Sequence, residues 1–150
     1  MNKKLLRHGA WFAICDGKKA LILENKGDAT YPQLETRQVF EHDNPPSHLQ
    51  GAAPPGRALA GAGGRRAATE ETDFHEQAEH AFLRHFAAEL DGWTRHRGLR
   101  DLVLVAPPKA LGLVRAALTG ATRAVLVAEV DRDYVKLPLY EIEHHLAHLP

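Results

Sequence analysis

The chain of 150 residues holds one cysteine and one serine. A lone thiol excludes an internal disulfide, and Cys15 lies in an apolar run where a small buried thiol is expected. Such usage suits a reducing compartment. With Ser47 the only serine and no Gly-x-Ser-x-Gly turn, serine-type nucleophilic catalysis is not supported. Excess charge is missing too, because 19 basic residues face 19 acidic ones. Broad polyanion binding is thereby excluded, and any nucleic-acid contact must be local. No run approaches the ~20 apolar residues of a membrane span, and Ala10 to Cys15 falls short of the ~7–15 of a secretory signal. The expectation is a cytoplasmic protein without membrane insertion. Twelve glycines form neither a Walker loop nor a dinucleotide fingerprint, so no cofactor is expected.

What is present is ordinary globular composition, 44% hydrophobic and 25% charged. The length suits a single domain over residues 1–150, and there is no internal repeat. "AWFAICD" from Ala10 and "KALILEN" from Lys19 read as two strands joined at Asp16-Gly17-Lys18, with Gly17 expected to take the positive φ of a tight hairpin. "QLETRQVFE" from Gln33 alternates in part and predicts a third, less buried strand. It sets Leu34, Thr36, Gln38 and Phe40 opposite Glu35, Arg37 and Val39.

Nothing periodic follows from His42 to Thr72. Two Pro-Pro pairs and scattered glycines predict a long loop over residues 42–72. Its only formal charges between Asn44 and Ala68 are Arg57, Arg65 and Arg66, so it is locally basic in a neutral protein. Asp73 and Glu76 have capping-box spacing, which predicts a helix starting there. Phe74, Ala78, Phe82, Phe86, Leu90 and Trp93 mark its apolar face, and Gly98 its stop. "LVLVA" from Leu102 predicts a buried strand. Pro107 and Pro108 open a second helix bearing Leu111, Val114 and Leu118, with Gly120 beyond it. "AVLVAEV" from Ala124 reads as a fifth strand, and a last helix after Pro138 presents Leu139, Ile142, Leu146 and Leu149.

The order is three antiparallel strands, then helix, strand, helix, strand, helix. It implies an α/β protein with a mixed five-stranded sheet, the succession found in ribonuclease H-like domains.

The segments "HGAWFAICDGKKALILEN", "VFEHDNPPSHLQGAAPPGRALAGAGGRRAATEETDFH", "LVLVAPPKALGLVRAAL" and "AEVDRDYVKLPLYEIE" together resemble the bacterial host-attachment protein family. The resemblance covers nearly the whole chain and implies a role in attachment to host cells without a known chemical activity. The architecture is also distantly similar to the central domain of archaeal and eukaryotic class 1 peptide-chain release factors, whose Gly-Gly-Gln motif precedes a long helix. Gly63 and Gly64 match the paired glycines, but Arg65 stands where the catalytic glutamine would be. Peptidyl-tRNA hydrolysis by that route is not expected. What the resemblance leaves is RNA contact through Arg57, Gly63, Gly64, Arg65 and Arg66, with the ribosome or transfer RNA as partner. Two alternatives stay open: the arginines pair with Glu70, Glu71 or Asp73 and only order the segment, or the protein acts on an unknown protein partner.

A two-metal nuclease needs several converging carboxylates. Asp16 ends the first strand suitably, with Glu76 or Glu79 as possible partners, but the fourth strand ends in Ala106-Pro107-Pro108 without an acid. In "HEQAEH", His75 and His80 are five apart, about 140° around a helix, so the metalloprotease spacing fails. His144 and His148 lie one turn apart without an obvious third ligand and read as a solvated face. His96 and Arg97 complement the end of the long helix's dipole. The expected protein is therefore non-enzymatic, with no catalytic or metal residues.

Overall fold

The computed structural model describes residues 3–41 and 64–149, with side chains described for 5–41 and 73–149. Five strands form one sheet: β1 (Trp11–Cys15), β2 (Lys19–Asn25), β3 (Leu34–Glu41), β4 (Leu102–Ala106) and β5 (Leu126–Asp131), in the order β3-β2-β1-β4-β5. β1–β2 and β2–β3 are antiparallel, β1–β4 and β4–β5 parallel. The described helices are α1 (Gly64–Arg97), α2 (Pro108–Ala117), α3 (Gly120–Val125) and α4 (Leu139–Ala147), preceded by a 3-10 turn at Lys3–Leu6.

Every residue of β1 and β4 is buried. An apolar strand pair of this kind needs cover on both faces. Trp11, Ala13, Cys15, Leu102 and Leu104 face α1 and α2, where Phe86, Leu90, Leu111 and Val114 complete one core. Phe12, Ile14, Val103 and Val105 face the other way, against Leu6, Ile142 and Leu146. A fully buried Phe86 or Leu90 contributes roughly 1.5–3 kcal/mol over its exposed state.

β3 departs from simple alternation. The register shifts so that Leu23 pairs with Thr36 while Ile22 pairs with Gln38, leaving Arg37 as an extra residue. A bulge of this kind moves all residues beyond it to the opposite face. Leu34 and Phe40, expected on one side, therefore pack into different cores. Arg37 lies 5.7 Å and 5.9 Å from the rings of Trp11 and Trp93, which are themselves 5.5 Å apart, and Trp93 Nε1 donates to Gln38 at 3.0 Å.

Three other expectations are corrected. The long helix does not begin at Asp73 but at Gly64. Residues 42–63 of the expected loop lie outside the described residues, while 64–72 are helical. Arginines, alanines and glutamates in "RRAATEE" are good helix formers and carry the helix past Asp73. Gly120 lies beyond the second helix as expected and opens α3, but the fifth strand begins at Leu126 rather than Ala124. Gly17 does not take positive φ. The Asp16 carboxylate instead accepts from the amides of Lys18 and Lys19, each at 2.8 Å, closing the turn from a side chain. Gly98 does stop α1, at φ +67°.

Two buried polar residues, with no signal in the sequence pattern, tie elements together. Asn25 Oδ1 accepts from the amides of Gly27 (3.0 Å) and Gln33 (2.9 Å), and its amide nitrogen donates to the carbonyls of Leu6 and Arg7. Asp91, on α1, accepts from the amide (3.2 Å) and hydroxyl (2.8 Å) of Thr119 and from the hydroxyl of Thr122, which fastens the start of α3 to the long helix. Asp91→Ala leaves these donors unsatisfied and should lower stability in urea unfolding by about 2–3 kcal/mol. Asp91→Asn, which keeps an acceptor oxygen, should lose clearly less; equal losses would show that the three bonds contribute nothing.

Candidate functional site

α1 is 34 residues long, about 51 Å at 1.5 Å per residue, whereas a five-residue strand such as β1 spans only about 17 Å. Its direction follows from two contacts: Trp93 packs on Trp11 at the start of β1, and Glu79 packs against Gly17 just past its end. The residues before Glu79 therefore run on beyond the sheet. Asp73 to Gln77 are all exposed, and Phe74, expected on the buried face, is 57% exposed.

Gly64, Arg65 and Arg66 form the first turn of this projecting segment. No acidic residue shares that turn. The other two residues of the expected contact set, Arg57 and Gly63, lie outside the described residues.

Where α1 crosses the sheet edge, a cleft of about 160 Å³ opens among Gly17, Glu79, Leu83, Pro107, Lys109 and Leu113. It lies beyond the carboxyl ends of β1 and β4, the place where open α/β sheets commonly take ligands. Of its two charged lining residues, Lys109 is paired with Glu76 on the neighbouring turn of α1. Lys109 Nζ lies 2.9 Å from Glu76 Oε1, and the hydrogen bond and opposite charge hold the Glu76 carboxyl below its usual range and the Lys109 ammonium above its own. Both are solvent-exposed, so the pair contributes little to stability. A Cβ on Gly17 would come 2.8 Å from Glu79 Cδ, which explains the glycine by close approach rather than by backbone conformation.

The structure brings Glu79 to the Asp16 turn, as a nuclease reading would need, yet the Asp16 carboxylate is engaged by backbone amides. Among the described residues no three His, Cys, Asp or Glu side chains gather where they could hold a metal ion. His75 is exposed; His80 is half-buried, and its Nε2 has no hydrogen-bond partner among the described residues. Arg97 does more than complement the helix dipole, since its guanidinium lies 4.6 Å over the Trp93 ring. No described helix is long and apolar enough to cross a membrane.

A family model described as "Protein required for attachment to host cells" matches residues 11–146. No curated protein matches the chain.

Cys15 is fully buried, and loss of hydration, reinforced by the Asp16 charge, pushes its thiol up to about 12. The folded protein keeps this proton where the unfolded chain, titrating near 9, releases it. Stability should therefore be unaffected by Cys15 below about pH 9 and fall between there and about pH 12, a fall that Cys15→Ala flattens. Thiol labelling at pH 8 should proceed only as fast as unfolding. In the cleft, Gly17→Ala should displace the flexible Glu79 side chain for less than about 1 kcal/mol in urea unfolding, because only the end of that side chain must move.

Proposed function

We propose that this chain, which belongs to the family of proteins required for attachment to host cells, is a non-enzymatic docking domain that contacts RNA through the tip of α1. One observation carries the reading: α1 begins at Gly64, so Gly64, Arg65 and Arg66 form a first turn that starts about 22 Å along the axis from Glu79 at the sheet edge. Cations in a first helical turn oppose the dipole and cost roughly 0.3–1 kcal/mol. Arg65 and Arg66 favour helix by propensity, but complementing the dipole is not what they serve there. Free amides at a helix start and two guanidinium groups suit a phosphate oxygen.

The strand order β3-β2-β1-β4-β5, with β2 antiparallel to β1, supports a ribonuclease H-like assignment. A long helix preceded by paired glycines supports the likeness to the central domain of class 1 release factors. Arg65 in place of the glutamine is the reason for leaving out hydrolysis. On this reading the protein acts in the cytoplasm, with the ribosome or transfer RNA as partner, and its effect on attachment is indirect. A second reading, protein–protein contact, rests on Phe74, 57% exposed on the same projecting segment.

Pull-down from native lysate with and without ribonuclease separates the two. Wild-type protein should retain ribosomal subunits or transfer RNA, and a folded Arg65→Glu/Arg66→Glu variant should not. Two or three phosphate contacts predict a log-log salt slope of only about 1.5–2, at roughly 0.7 per phosphate on a single strand. Capture of a protein partner indifferent to ribonuclease and to the charge reversal would overturn the RNA reading in favour of the second.

A further inference from the structure

Neither the cores nor the docking reading uses the polar face of α4, where "EIEHHLAH" ends the helix. Ile142 and Leu146 are fully buried and hold the helix to the sheet, leaving His144, His145 and His148 exposed. His145 is occupied, its ring stacked on Tyr134 at 4.9 Å and 22°. His144 and His148 face each other instead, with ring centroids 4.3 Å apart and planes inclined at 33°.

The hydrogen bonding of the pair selects a tautomer. His148 Nδ1 lies 2.8 Å from the backbone carbonyl of His144. A carbonyl only accepts, so Nδ1 carries a proton, and in the neutral ring that leaves the lone pair on Nε2. This is how a metal-ligating histidine is usually oriented, with one nitrogen tied to the backbone and the other available. The His144 ring makes no hydrogen bond among the described residues.

The competing account is that histidines near a helix C-terminus act as cations complementing the dipole. That suits one imidazolium. It does not suit two at this separation, because like charges one turn apart repel. Two imidazoles one turn apart on an exposed face are a chelating arrangement, and metal–nitrogen bonds of 2.0–2.1 Å need the two nitrogens roughly 3 Å apart. Reaching that distance requires the exposed rings to turn, and the His144 ring has no hydrogen bond to give up among the described residues.

We propose that His144 and His148 form a two-histidine site for an exchangeable borderline transition-metal ion, zinc, nickel or copper(II). Imidazole nitrogen suits these ions, whereas magnesium and calcium prefer oxygen. Two protein ligands fall short of the four of a structural zinc site. The remaining positions go to water or to a group from another molecule, so the ion comes and goes without unfolding the chain.

The test is calorimetric titration of the untagged full chain with zinc chloride, and with magnesium chloride in parallel. One zinc per chain should bind and magnesium should not. His144→Ala or His148→Ala should each weaken zinc binding about tenfold or more. His145→Ala, on the same turn but stacked on Tyr134, should leave it unchanged. Electron paramagnetic resonance of the copper(II) form should show two coordinated imidazole nitrogens, and fewer in either single variant. Zinc binding that survives His144→Ala/His148→Ala, or no zinc, nickel or copper binding to the wild type at micromolar concentration, would overturn the proposal.

Discussion

Two adjacent parallel strands, β1 and β4, are buried on both faces, and this constraint organises the molecule. A sheet whose centre carries no polar face must be covered twice. α1 and α2 cover one side; α4 and the N-terminal 3-10 turn cover the other. The antiparallel strands β2 and β3 extend one edge and β5 the other, with exposure rising outward in β3 and β5. The buried polar residues Asn25 and Asp91 have their hydrogen bonds met there.

The same constraint explains why α1 projects. Only its C-terminal half is needed to cover the strands, and its buried residues, from Leu83 to Trp93, lie in that half. The Trp11–Trp93 contact and the two arginines over these rings hold that end in place. The remainder has no sheet beneath it, and Asp73 to Gln77 on it are exposed.

The cleft under α1 has the position of a ligand site, and Lys109 and Asp16 beside it are already engaged. Glu76 and Lys109 satisfy each other, and Asp16 closes a turn. The histidine pair on α4 differs in this respect, because its Nε2 atoms are directed to no other group among the described residues. Membership in the host-attachment family gives the biological setting without assigning a reaction.

Much of this was legible in the residues. Apolar runs mark β1, β2 and β4 correctly because fully buried strands leave no polar interruption, and Pro108 and Gly98 mark helix limits because their backbone restrictions are local. The candidate glycine–arginine segment was visible for the same reason, as an unusual local composition. Other features depend on partners distant in sequence. The bulge at Arg37 appears only when β3 is laid on β2, and the close approach to Gly17 only when Glu79 arrives from α1. The start of α3 is fastened by Asp91 from 28 residues earlier. Spacing alone put His144 and His148 on one helical face, but only the folded backbone brought the rings to 4.3 Å and set the His148 tautomer. Sequence determined which segments bury and where the chain turns, since those follow from hydrophobicity and backbone freedom residue by residue. Tertiary structure decided register, projection and the commitment of each charge, since those depend on which groups meet in space.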